Sequence, residues 1–316
     1  MSNILKPPPD GCRGSVLIHP GFHKTGTTFL QNRVFNDERV FRPLWSHGEI
    51  DNYILRPHDL DFTPEPGRDD IAIRRNSVRP DLIDIVSSET LCGQPFTGSR
   101  EAVMQATRLK DVFGDAKIVF TVRKQPSIIR AIYIQYLTMG GLLSPEAFFD
   151  RQARFGYFSF DPHVFEYHKL VEFYGELFGP ENVLVLTQEE LQRGLDEFVQ
   201  RLRMFCGVAG ADIPIPLGDK GREGVSPPPS GIPLLRMANR FRTVAVNAES
   251  PARLAMFGSL LVKIAYRQTW FFRGQGERLD AAIRDRFSGM FAGSNARLQR
   301  FAPSDLRALG YEMSPA

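Results

Sequence analysis

The chain has 316 residues, 39 of them Lys or Arg and 36 Asp or Glu, with 42% hydrophobic residues and a formal net charge of +3. These proportions exclude a disordered or fibrous chain and allow a sizeable core in one large or two modest domains. Cys12, Cys92 and Cys206 are too few and too far apart for a disulfide scaffold or a zinc cluster, and a reducing compartment follows.

From the N-terminus, Pro7, Pro8 and Pro9 stand where a signal peptide needs an apolar stretch. The nearest approach to a membrane span, 254–266, is broken by Lys263, so the expectation is a cytoplasmic protein. Short β-branched runs then alternate with helical patterns, the signature of βαβ units on a parallel sheet. Strands are predicted over 15–19, 82–86, 116–122 and 183–187. Helices are expected from 27 onward, over 99–113 and 126–139, from Asp161-Pro162 to Gly179-Pro180, and on to about 206. Beyond a Pro-rich loop at 213–233 the chain reads as helices. The predicted class is α/β, an open parallel sheet flanked by helices with a mainly helical C-terminal part. We divide it into a tail (1–14), an α/β core (15–212), a Pro-rich loop and basic amphipathic helical insertion (213–276), and C-terminal helices packing on the core (277–316).

The sharpest local signal is Gly21-Phe22-His23-Lys24-Thr25-Gly26-Thr27-Thr28, between a predicted strand and a predicted helix. Glycines let successive backbone N–H groups turn inward, the helix start adds partial positive charge, and Thr hydroxyls add donors, so the segment suits a phosphate. Gly21 and Gly26 have the spacing of a nucleoside-triphosphatase loop, but Thr27 occupies the place of its lysine and the cation is Lys24. The nucleotriphosphatase lysine serves β- and γ-phosphates beside magnesium, and no acidic residue here plainly serves as a metal ligand. The displacement favours a donor needing less charge compensation than a triphosphate. A turn that merely caps a helix is the plainer alternative.

Lys24-Thr25-Gly26-Thr27-Thr28, followed by Phe29-Leu30-Gln31, resembles the 5′-phosphosulfate loop of bacterial sulfotransferases that use 3′-phosphoadenosine 5′-phosphosulfate (PAPS). The resemblance implies that Lys24, Thr25, Gly26, Thr27 and Thr28 hold the 5′-phosphate, with Lys24 near the bridging oxygen and the sulfuryl group. It also implies that Arg123, ending a strand as Arg123-Lys124-Gln125, holds the 3′-phosphate with a Ser eight residues later. That position is Ala131, which has no hydroxyl; Ser127, one turn earlier, is the substitute donor, or else a polar residue at a helix start. Tyr133 falls where the family tends to have Tyr. Lys220-Gly221-Arg222 matches a late loop sending basic residues to the nucleotide, which adds Arg222 to the binding set. The segments 181–191 and 278–311 are similar to the family's late strand and C-terminus.

In-line attack on sulfur requires stabilisation of the leaving oxygen, assigned to Lys24, and a base for the acceptor hydroxyl. Glu89, following the strand at 82–86, lies at the carboxyl edge where ligands of parallel sheets bind, and it resembles the base of the carbohydrate-modifying members. A structural ion pair is its alternative role. His23 and His19 flank the loop as other candidates, each weighed against a packing role.

Two further segments could shape the acceptor side. The stretch 41–80 is rich in Pro, Asp and Arg with little periodicity and is expected as a lid or wall, or as a solvated loop. The stretch 231–275 carries seven basic residues and one acid, Glu249, with Leu254, Phe257, Leu261 and Ile264 on one helical face. It suits an anionic membrane surface or a glycan, against an ordinary core or homodimer helix with solvated arginines. The functional expectation is a sulfotransferase acting on a hydroxyl of a saccharide or glycan, with no metal and no nucleic-acid partner. A P-loop kinase and a non-catalytic protein retaining the fold are the alternatives.

Overall fold

The computed structural model describes residues 16–75, 82–150, 159–207, 226–242, 255–267 and 274–314. Val16–His19 (β1) is buried along its whole length, as a parallel strand covered on both faces must be. Ile83–Ser87 (β3) and Ala116–Val122 (β4) pair with it on either side. Phe41–Pro43 (β2) and Val183–Thr187 (β5) add the outer positions, and every pairing is parallel. The order is β2-β3-β1-β4-β5, with Leu17 of β1 between Ile85 and Lys117.

The helices divide between the two faces by where their apolar residues point. Leu17, Ile85, Val119 and Leu184 meet Leu30 and Val34, just beyond Thr27–Phe29 (α1), and Phe198 and Leu202 of Leu195–Phe205 (α9). Ile18, Val86, Ile118 and Phe120 meet the other face, built from Ala102–Phe113 (α4), Gln125–Thr138 (α5) and His168–Phe178 (α7). The chain therefore leaves β1 toward one face and leaves its neighbours β3 and β4 toward the other. That opens crevices beside the carboxyl end of β1, the usual location for ligands in such sheets.

The predicted strands 116–122 and 183–187 are observed with those bounds, and those predicted at 15–19 and 82–86 are observed at 16–19 and 83–87. The stretch from 161 to 179 divides: Asp161 accepts from the His163 amide at 3.0 Å to start a 3-10 turn, Pro162–Phe165, and a non-helical ψ of 68° at Glu166 separates this from α7. Helix Gln188–Arg193 (α8) starts with a reciprocal cap, in which Thr187 Oγ1 accepts from the Glu190 amide at 3.1 Å and Glu190 accepts from the Thr187 amide at 2.8 Å.

The stretch 41–75 is not the structureless loop that its composition suggests. It contains β2, a turn of helix capped by Ser46 (His47–Ile50, α2) that widens into a π turn at Asp51–Leu55, and Glu65–Arg75 (α3). A three-residue edge strand is too short to show alternation, Pro43 is tolerated at an edge, and a π turn breaks the 3.6-residue period. Asp84, 2% exposed on β3, anchors this layer, accepting from Arg42 at 2.6 Å and Arg75 at 2.8 Å. Truncating it removes a shared, buried carboxylate from both guanidinium groups, so Asp84→Ala is expected to cost about 3 kcal/mol in a urea titration, whereas an unchanged midpoint would show the pairs to be dispensable.

Pro145–Phe149 (α6) and Ile232–Asn239 (α10) precede Ala255–Arg267 (α11), which packs on α10. Leu261 and Ala265 of α11 face inward, while Phe257 is 48% exposed and stacks edge-on with Phe241. The buried stripe of α11 is therefore not the expected 257/261/264 face, because tightly fitted Gly258 turns the helix against Ala238 and Arg242. Gln275–Phe287 (α12) and Ala292–Leu298 (α13) close the chain against the second face. Among the described residues no helix is long and apolar enough to cross a membrane.

Candidate functional site

The loop candidates, Glu89 and Arg123 sit just past the ends of three neighbouring strands. The turn after β1 carries His23 to Thr28, the turn after β3 carries Glu89, and the turn after β4 carries Arg123. Sheet order therefore sets Glu89, Lys24 and Arg123 side by side, though far apart in sequence. Arg123 Nη1 donates to the Lys24 carbonyl at 3.3 Å, tying the two turns together.

The β1 turn curls because Lys24 (φ 64°) and Gly26 (φ 97°, ψ 16°) both occupy the left-handed region. For Lys24 that conformation is uncommon and persists because its surroundings impose it. Gly21 is required by space: a Cβ there would lie 2.6 Å from Thr27 Oγ1 and 2.9 Å from the His19 ring. Thr27 Oγ1 is buried without a hydrogen-bond partner, and the first turn of α1 leaves its amides without intrahelical partners. Thr28 is exposed beside it. Lone donors around a glycine cradle, with a cation at its rim, form a set complementary to an anion.

Partial desolvation lowers the Lys24 ammonium pKa below its usual value, and the Glu89 carboxylate opposes that shift. His23 is likewise lowered, first by burial, with Glu89 and a hydrogen bond to the Gly93 backbone opposing; its Nε2 is buried and unpartnered. Glu89 opens a 3-10 turn, Glu89–Cys92, behind Ser88, and its Oε2 is also unpartnered. Lys24, His23 and Glu89 thus form one electrostatic group.

His19 lies below the loop, fully buried, with Nδ1 2.8 Å from Ser87 Oγ and Nε2 3.0 Å from Thr121 Oγ1. Burial lowers its pKa to about 3, so it is neutral across the physiological range and both ring nitrogens are engaged. It is not available as a base. Tyr133 is also a core residue, its hydroxyl donating to the Leu143 carbonyl at 3.0 Å within an aromatic cluster.

Arg123 is partly desolvated with Glu189 opposite, and its carbonyl accepts from Tyr167 at 2.7 Å. Ser127, in the first turn of α5, lines a cavity of about 300 Å³ with Arg130, Asp280, Arg284 and Glu312 rather than with the loop residues. Arg130 there is paired with Asp280 at 2.9 Å. Arg222 lies outside the described residues. Among the described residues no three His, Cys, Asp or Glu side chains converge as metal ligands.

Two neighbours of the site carried no signal in composition. Gln188, next to Gly26, has a buried unpartnered Oε1. Glu189 accepts from the Lys124 amide at 3.2 Å and from Tyr311 at 2.9 Å, so the C-terminal segment is fastened to the β4 turn. The Thr187/Glu190 cap places both residues at the sheet's carboxyl edge and was the sequence cue available for them.

No family model matches this chain, and no curated protein matches it. Among solved structures it is similar to a sulfotransferase from Alicyclobacillus acidocaldarius, at 21% identity over 78% of this chain and 96% of that one, with a TM-score of 0.43. It is also similar to mouse sulfotransferase SULT7A1 complexed with PAP, at 12% identity over 93% of this chain and 88% of that one, TM-score 0.37. A third similar structure is the sulfotransferase domain from the curacin biosynthetic pathway, at 13% identity over 87% and 97% of the two chains, TM-score 0.37.

Proposed function

We propose that the protein transfers a sulfuryl group from PAPS to a hydroxyl acceptor, a saccharide or glycan, by in-line attack. One observation carries the reading: the loop cation is Lys24, ahead of Gly26, standing between the turns that bear Glu89 and Arg123. A sulfuryl group in flight carries less charge than a phosphoryl group, so one ammonium and the loop amides are a proportionate electrostatic match.

The fit of such a donor rests on the orphaned Thr27 hydroxyl and on the close approach of that hydroxyl to the backbone that only glycine allows at Gly21. In this reading the backbone amides of Thr25 and Gly26, with Thr27 and Thr28, bind the 5′-phosphate, and Lys24 neutralises charge on the departing oxygen. Arg123 binds the 3′-phosphate, with Ser127 and Arg222 as further donors. Glu89 takes the acceptor proton, with His23 beside it as the alternative base.

Isothermal calorimetry with adenosine 3′,5′-bisphosphate and with ATP plus magnesium, in parallel, tests the reading. Tight binding of the bisphosphate alone supports it; preference for magnesium-ATP would replace it with a kinase. Arg123→Ala is expected to weaken bisphosphate binding at least tenfold, the loss of a charge-assisted contact of about 1.5–3 kcal/mol. Unchanged affinity would remove Arg123 from the site. Glu89→Gln is expected to lower kcat by about a hundredfold or more with donor affinity little changed, as loss of a general base should. Retained turnover would move the base elsewhere.

A further inference from the structure

Directly beneath the loop lies an uninterrupted line of side-chain hydrogen bonds. Gln31 Nε2 lies 3.0 Å from the Ser87 carbonyl and 3.2 Å from Ser87 Oγ. Ser87 Oγ lies 2.8 Å from His19 Nδ1, and His19 Nε2 lies 3.0 Å from Thr121 Oγ1. Thr121 Oγ1 lies 2.9 Å from Thr25 Oγ1, which lies 2.6 Å from the Phe22 carbonyl. The line joins β3, β1 and β4 and ends inside the loop itself.

Its polarity follows from its two ends. A carbonyl oxygen only accepts, so Thr25 donates to Phe22 and must receive its own bond from Thr121. The Thr121 proton is then committed, so Thr121 receives from His19 Nε2–H. His19 Nδ1 consequently accepts from Ser87, and Ser87 accepts from the Gln31 amide. Every hydroxyl in the line donates once and accepts at least once. With the opposite tautomer, no proton would lie between Thr25 and Thr121, and the Ser87 hydroxyl would lose its acceptor. Buried groups so placed are costly.

We infer that His19, held as the neutral Nε2–H tautomer, is a positioning residue that locks the loop through Thr121 and Thr25 in the curled conformation suited to an anion. The inference rests on the reading of this loop as a phosphate cradle. The Thr25–Phe22 bond closes the loop on itself, and the relay fixes its direction from outside. The cradle is thereby set before any ligand arrives, which reduces the ordering required on binding. Burial that lowers the imidazole pKa keeps the relay intact at physiological pH.

Two measurements on the ligand-free protein test the lock independently of the donor's identity. ¹⁵N and ¹³C NMR of labelled histidine should show His19 with a protonated Nε2 and an unprotonated Nδ1; the reverse tautomer overturns the inference. Amide exchange at 25–28 should accelerate at least tenfold in Thr121→Val, a near-isosteric change, and unchanged exchange also overturns it. Adenosine 3′,5′-bisphosphate supplies the functional arm, read by calorimetry. Thr121→Val and His19→Phe should bind it at least tenfold more weakly, while His19→Gln, which can both donate and accept, should stay within about threefold of the parent. Equal losses in His19→Gln and His19→Phe would reduce His19 to a space-filling role and overturn the positioning claim. If the parent fails to bind this nucleotide, the donor assignment fails and the tautomer and exchange data still decide the lock. If His19→Phe does not fold, Thr121→Val decides the binding arm.

Discussion

Replacing Lys24 by Ala is expected to lower sulfuryl transfer about a thousandfold while leaving adenosine 3′,5′-bisphosphate affinity within about tenfold. The asymmetry follows from the place of the side chain. The Thr27 hydroxyl, the α1 amides and Arg123 remain to bind phosphate in the variant, whereas the ammonium is the charge assigned to the oxygen that departs. An interaction stronger in the transition state than in the bound state appears in kcat rather than in affinity. Lys24 is exposed and its backbone holds φ 64°, a conformation Ala tolerates no worse than Lys, so the variant should melt with the parent. Single-turnover rates with an acceptor series, set against calorimetry, give the comparison. A variant retaining a third or more of the parent rate would remove the loop cation from the chemistry.

His19 predicts the second large effect, on acid stability. In the unfolded chain it titrates near its ordinary value of 6.5, and in the folded protein near 3. Between those values the unfolded state takes up a proton that the folded state refuses, so stability falls as pH falls through this window. At 1.36 kcal/mol per pH unit, the loss reaches about 3 kcal/mol by pH 4 and levels off from roughly 4 kcal/mol near pH 3. His19→Gln cannot take that proton. Urea titrations at pH 7, 5 and 4 should therefore show the variant losing less stability than the parent across the acid limb by about those amounts. The carboxylates and the other histidines contribute equally to both proteins and cancel. Parallel curves would show that the imidazole is not buried in its neutral form.

Residues differ in how openly they announce their place. Ala116–Val122 and Val183–Thr187 are readable because strands covered on both faces are continuous apolar, β-branched runs. The loop is readable because glycine and threonine at fixed spacing between strand and helix have few other uses. Phe41–Pro43 is hidden because three residues at an edge carry no period, and the π turn that follows α2 displaces the helical one. His19 shows the limit most clearly. As a lone histidine at a strand end it reads more readily as a packing residue than as a base, and only its two partners, distant in sequence, decide between them. Ser127 shares a helix with Ala131, but helical spacing says nothing of the neighbouring α12 that turns its surroundings into a cavity of their own.

The central strand β1 comes first in the chain, yet its partners come late: His19 reaches Thr121 across 102 residues. On a ribosome, the loop and its lysine would leave the exit tunnel well before anything exists to hold them in shape. Nascent chains from which Thr121 has not yet emerged should accordingly lack the cradle, and chaperone dependence should concentrate in that interval of synthesis. Parallel sheets with distant pairings fold slowly for the same reason.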